Sequence, residues 1–225
     1  MSFRRIAGIS GLVFVVLLAI GLALDSAPAP GDSIEDVVEY YQDDPGLIEL
    51  LLVLGTAATL VFPVWLVGVV GRLRGRDEPW AIVGLVGGIL TLALASVQEI
   101  SSSALVLRQE ALGPDLTTQV LWDLNNLAVA STTVAGVVLL GGLAIAALRT
   151  GQLPAWLGWL AGLGALTGAV GAVSIVDFAS GNSIAFVSFA WFIIFLVFVL
   201  ITSVLMIQSD APAGQVEDRT AAPAA

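Results

Sequence analysis

Residues 121–148 read LWDLNNLAVASTTVAGVVLLGGLAIAAL. From Leu127 to Leu148 the run is 22 residues long and carries no charge. A hydrocarbon core of about 30 Å takes about 20 helical residues, so this segment alone is long enough to cross a membrane. The acid and two amides ahead of it, Asp123, Asn125 and Asn126, then pose a question of depth. They are either polar groups held inside lipid or a helix end standing at its edge.

The whole chain shares this character. Of 225 residues, 58% are hydrophobic and 12% charged, whereas soluble domains are about half apolar and about a quarter charged. Mean hydropathy is +0.99. There is no His, Cys or Lys, and all eight basic residues are Arg. That removes disulfides, thiolate nucleophiles and iron–sulfur ligands. It also removes imidazole bases, most transition-metal sites and Schiff-base cofactors. No catalytic residue, metal site or cofactor is expected. Proton chemistry is left to carboxylates, two Tyr and hydroxyls.

Six segments are long and apolar enough to span: Ile6–Leu24, Leu47–Gly71, Trp80–Leu107, Val120–Leu148, Ala155–Val176 and Ser183–Ile207. The expected fold is an all-α bundle of six transmembrane helices. A membrane domain over 1–208 is followed by an Ala/Pro-rich tail over 209–225 that reads as disordered. Arg4, Arg5, Arg72, Arg74, Arg76, Arg149 and Arg219 fall on one side if the spans alternate, and only Arg108 on the other. By the positive-inside rule both termini are cytoplasmic and the membrane is the cell membrane. Asp25, Asp32, Glu35, Asp36, Glu39, Asp43 and Asp44 crowd the first external loop. The net charge of −10 is therefore mostly one solvated face, and no nucleic-acid partner is expected.

The first span also resembles a signal peptide, with two arginines before an apolar run. Its best A-x-A site, Ala27–Ala29, is followed by Pro30, a poor cleavage context, so the span is expected to stay. Cleavage would leave five spans.

Within the acidic loop, Ser33-x-x-Asp36 reads as a capping box, and Ile34, Val37, Val38 and Tyr41 recur at helical spacing. A short amphipathic helix over 33–42 is expected, ended by Asp44-Pro45-Gly46, lying on the outer surface or lidding the bundle. Pro63 should bend the second span. In the fifth, Gly158, Gly162, Gly164 and Gly168 form small-xxx-small pairs suited to close helix packing, which places that span centrally. The sixth, with six aromatics and no glycine, reads as a lipid-facing outer helix. Arg74 to Pro79 and Arg149 to Pro154 share a spacing, which fits either a duplicated hairpin or two ordinary proline-capped helix starts.

Depth follows from the helical rise. Glu99 lies about 28 Å from Trp80, Asn126 about 34 Å and Asp123 about 39 Å from Arg149, and Asp177 about 34 Å from Pro154. All four are placed near the outer boundary. There Asp123 costs little and favours a helix N-terminus.

Two readings of these groups stand. They are an interfacial helix start, or an outward-facing polar pocket walled by spans three, four and five. The pocket would use Glu99, Asp123, Asn126, Gln119 and Asp177. Asp123 and Asn126 share a helical face with Gln119, whereas Asn125 points elsewhere with Trp122 and Thr132. Gln98, Glu99 and Ser101–Ser103 form the facing wall, and Glu99 has no basic residue within a helical turn. The acidic loop lacks the order of a compact calcium site. GISG at 8–11 is similar to the serine motif of rhomboid proteases, but a chain without histidine cannot run that chemistry.

Several motifs occur in order: Tyr40-Tyr41 ending the loop helix, RLRGR at 72–76, LWDLNNLA, and QLPAWLGWL at 152–160. Over about residues 33–205 the chain resembles a family of uncharacterised six-span bacterial integral membrane proteins. LPxWLGWL is the most specific element, and many relatives carry Arg where this chain has Ala155. The resemblance implies fold and topology, and no activity.

The expected function is a non-enzymatic binding or interaction protein. Its partners would be the lipid bilayer and a lipid, small molecule or membrane protein. One alternative is a small secondary transporter that couples a proton or cation to Glu99 or Asp123. A carboxylate-based intramembrane hydrolase is another.

Overall fold

The computed structural model describes residues 1–29, 31–74, 79–172 and 184–208. Arg76, Asp177, Arg219 and the expected tail over 209–225 lie outside the described residues. The chain is all-helical: α1 Phe3–Leu24, α2 Ile34–Asp43, α3 Pro45–Leu73, α4 Pro79–Val106, α5 Leu116–Thr150, α6 Ala155–Ala172 and α7 Ile184–Gln208. A single 3-10 turn, Gln109–Ala111, separates α4 from α5. All but α2 are long and apolar enough to span a membrane.

Local chemistry sets the helix ends. Ser33 caps α2: its hydroxyl accepts from Asp36 N–H at 3.2 Å, and its own N–H donates to the Asp36 carboxylate at 3.1 Å. Asp44 ends α2 and starts α3, accepting Leu47 N–H at 3.1 Å, with Pro45 in the first turn, where a missing N–H costs nothing. Asp115 caps α5 by accepting Thr118 N–H at 2.9 Å. Gly151, at φ 63°, closes α5 in the left-handed conformation that glycine adopts without strain.

The spans form a ring in chain order. Each packs on its sequence neighbours, and α7 returns to pack on α1. α3, α5 and α7 also touch across the ring. The starts of α1 and α6 and the ends of α3, α5 and α7 gather at one end, where Arg72 donates to the carbonyls of Gln152 and Leu205, each at 3.3 Å. That is the arginine end, with Arg4, Arg5, Arg74 and Arg149. The acid-rich loop and α2 make the opposite, acid end.

The central span is α5, not the glycine-rich α6. α5 buries residues along most of its length, whereas Trp159 and Leu166 of α6 are 69% and 63% exposed. Its closest crossing is with α4. A methyl on Gly87 would reach the Leu139 backbone, and one on Gly142 would reach Gly84 N. Only paired glycines let two backbones meet there. On α6, Gly158, Gly164 and Gly168 stand against Leu148, Leu140 and Trp191, while Gly162 keeps ordinary contact distance from Ala144.

The aromatics of α7 overturn the lipid-facing reading. Trp191, Phe195 and Phe198 are buried on one stripe, and Phe189 is exposed on the other side. Trp191 fills a slot between Gly136 and Gly168 and stacks on Phe195. Phe195 meets Phe14, Phe62 and Trp65, and Trp65 donates to Thr202 at 3.1 Å. Aromatic side chains from α1, α3 and α7 thus fill the middle of the ring. An apolar helix face reads alike whether lipid or protein covers it, which is why composition alone misplaced α7.

Candidate functional site

The 35 residues of α5 rise about 52 Å, well beyond a hydrocarbon core of about 30 Å. LWDLNN falls in its first three turns, ahead of the uncharged run from Leu127 to Leu148 that is by itself long enough to cross. Their apolar side is used: Trp122 joins Val37 and Tyr41 of α2, Ile48 of α3 and Leu105 of α4 in a second, smaller cluster. Thus α2 is seated across the acid end of the ring. Gln42 fastens it further, donating to the carbonyls of Gln109 and Leu112, both at 3.1 Å.

Beneath this cluster lies a layer of polar side chains. Asn125 is buried and donates to the Ser102 hydroxyl at 2.5 Å and to the Gln98 carbonyl at 3.4 Å. Ser102 in turn meets the Tyr41 hydroxyl from α2. On the other side of α4, the Thr59 hydroxyl donates to the Glu99 carboxylate at 2.5 Å. Glu99 and Thr59 are both half-buried. Four residues beyond Thr59 stands Pro63, which has no N–H, so the Thr59 carbonyl lacks its helical donor. The Trp122 indole N–H is also buried, at 6% exposure, without an acceptor.

The Thr59 contact fixes the height of Glu99 against α1. Ala7 packs against Gly68, which fixes the register of α1 on α3. From there α3 rises about 14 Å to Thr59, and α1 rises about 26 Å to its end at Leu24. The Thr59–Glu99 contact therefore lies about 12 Å inside the acid-side end of α1. Sequence counting placed Glu99 near the same outer boundary as Asp123 and slightly deeper. The α4–α5 crossing, Gly87 on Leu139 and Gly84 on Gly142, sets Glu99 about level with Leu127, about 6 Å below Asp123.

The remaining candidates separate from it. Gln119 and Asp123 are exposed, and Asn126 is half-buried, donating to the Trp122 carbonyl of its own helix at 3.1 Å. No hydrogen bond among the described residues joins them to Glu99. Asp177 lies outside the described residues. The amide that reaches α4 is Asn125, on the face with Trp122 and Thr118. Thr59 escaped sequence reading altogether. Its one signal is the interval of four to Pro63.

Outside the spans, burial pushes Tyr41 up to about 12, with the nearby Asp25 charge adding and the Ser102 hydrogen bond opposing. Burial, the Asp25 charge and a hydrogen bond to Asp25 at 2.9 Å raise Tyr40 as well. Asp115 is held below the usual aspartate range by the amides it caps. No group of His, Cys, Asp and Glu among the described residues is arranged to hold a metal.

Comparison with family models, curated proteins and solved structures finds no match.

Proposed function

We propose that the chain is a non-enzymatic binding or interaction protein of the cell membrane. It receives a small ligand, a lipid or a partner protein in the polar layer beneath α2. One observation carries this reading: Glu99 sits inside the bundle, held by a hydroxyl from the neighbouring span. A carboxylate at that depth is costly and marks a functional site by default. The unpartnered Trp122 indole and the Thr59 carbonyl add a donor and an acceptor to the same end of the ring.

The arginine end faces the cytoplasm in this proposal, with both termini there, because positive charge is retained on that side. The LWDLNN and LPAWLGWL motifs support a place among six-span bacterial membrane proteins.

A transporter is the second reading. It is favoured by Pro63, since a freed carbonyl beside a carboxylate suits a proton or cation. The aromatic filling of the ring stands against a through-path at that level.

Thermal unfolding of the purified chain against panels of amines, divalent cations and lipids tests the binding reading. A ligand that raises the unfolding temperature of the wild type but not of Glu99→Gln supports it. Ligand shifts that Glu99→Gln leaves intact count against the site.

A further inference from the structure

Glu99 is half-buried at the seam between α3 and α4, and no described arginine stands beside it. Arg4 and Arg5 open α1, Arg72 and Arg149 lie in the last turns of α3 and α5, and Arg74 follows α3. All of these belong to the arginine end. Arg108, at the acid end, is exposed and nine residues further along the chain. Among the described residues, the hydrogen-bond partner of Glu99 is the Thr59 hydroxyl. The other acid on α3, Glu49, is exposed and ten residues before Thr59. A lone carboxylate inside a helical bundle is costly until a positive charge joins it.

Thr59 brings two oxygens to the same seam. Its hydroxyl gives its hydrogen to Glu99, so the lone pairs on that oxygen are left to face a cation. Its carbonyl lacks a helical donor because Pro63 has no N–H, and in lipid a freed carbonyl needs another partner. Carboxylate, hydroxyl and carbonyl are the oxygen ligands that hard cations take. One carboxylate balances one positive charge, and no group of acids suited to a divalent ion gathers among the described residues. We infer that Glu99 and Thr59 hold a monovalent hard cation, sodium, beside Pro63. The inference rests on the polar layer beneath α2 being a binding site, and it names the ligand. The acid end favours its arrival: Asp32, Glu35, Asp36, Glu39 and Asp43 are exposed there and concentrate cations.

Equilibrium binding of radioactive sodium to the full chain tests this, in a non-ionic detergent with choline as the balancing cation. The wild type should bind a single sodium, displaced by unlabelled sodium and only poorly by calcium or methylammonium. Glu99→Gln should abolish binding. Pro63→Ala returns an N–H to the Thr59 carbonyl and leaves every charge in place. It should weaken binding by about tenfold, the value of one polar contact to a charge. Pro63→Ala also keeps the test decisive if Glu99→Gln fails to fold. Asp123→Asn changes an exposed acid at the same end and should leave binding unchanged. Absence of saturable sodium binding in the wild type overturns the inference. So does binding that Glu99→Gln and Pro63→Ala both leave intact, or displacement by methylammonium as effective as by sodium, which would make the ligand an organic amine. If sodium fails while an amine or lipid still raises the unfolding temperature through Glu99, the cation is wrong and the binding site stands. If neither acts through Glu99, both fall.

Discussion

The Thr59 hydroxyl donates to the Glu99 carboxylate across the seam between α3 and α4. This bond sets the depth of the only acid that α4 carries, and it joins two helices that otherwise meet through apolar contacts such as Leu66 on Gly88. A hydrogen bond whose one partner is removed leaves the other unsatisfied, which costs more than the bond contributed. Thr59→Val should therefore destabilise the fold by about 1–3 kcal/mol. Glu99→Gln keeps an acceptor and should cost less. The double variant Thr59→Val/Glu99→Leu should fall well short of the sum of its singles. Unfolding in detergent, arranged as a double-mutant cycle, measures this. Simple additivity would mean that the two groups do not interact.

Asn125 and Asp123 make a contrasting pair within LWDLNN. Asn125 bonds α4, whereas Asp123 is exposed. Interhelical hydrogen bonds in membranes are worth about 1–2 kcal/mol at most, and Asn125→Val should cost about that. Asp123→Asn and Gln119→Ala should stay within about 0.5 kcal/mol, as surface changes do. The same unfolding assay decides. Equal losses at 123 and 125 would put the packed face in the wrong place.

Glycines in this fold are not equivalent. A side chain at Gly87 or Gly142 meets the backbone of the facing helix, which cannot give way. At Gly162 the nearest atom, the Ala144 Cβ, is 3.9 Å from an added methyl. Gly87→Ala should cost about 1–3 kcal/mol or more as overpacking, and Gly162→Ala should be near neutral. Melting temperatures of the two variants compare them directly.

Alkali should release α2. Tyr41 ionises at about 12 in the folded chain and at 10.0 when free. A raised native value means that its contribution is fully present below 10.0 and is lost as pH climbs toward about 12. The seating of α2 should therefore loosen over that interval. Tyr41→Phe should remove this tyrosine's share of the pH dependence. Amide exchange in α2, followed at rising pH and corrected for its intrinsic rate, checks the outcome.

Much of the fold was legible because membrane insertion writes it into composition. Runs of apolar residues, arginine between them and the Ser33 cap of α2 are local signals, and the helices follow them. Packing was less legible. In water a polar face marks the outside of a helix, but in lipid Trp191 facing Gly136 and Phe189 facing lipid look the same in sequence. The candidate site suffered similarly. Helical period correctly separated Asn125 from Asp123, yet which face meets α4 depends on rotation, and rotation is set by the Gly87–Leu139 and Gly84–Gly142 contacts. Glu99 was visible as an isolated acid. Its partner Thr59 was not, because the pairing depends on the stagger between helices.

The chain has no cysteine, so a single cysteine can be placed at will. The most direct measurement is the rate at which a membrane-impermeant maleimide, applied separately to each face of sealed vesicles, labels Glu99→Cys and Asp123→Cys. Each is paired with Tyr41→Ala to loosen α2. The account predicts fast labelling at 123 from the acid side, and slow labelling at 99 from that same side. Loosening α2 should speed the reaction at 99 and leave 123 unchanged. A cysteine at 99 that reacts as fast as one at 123, that ignores α2, or that is reached only from the arginine side would contradict it.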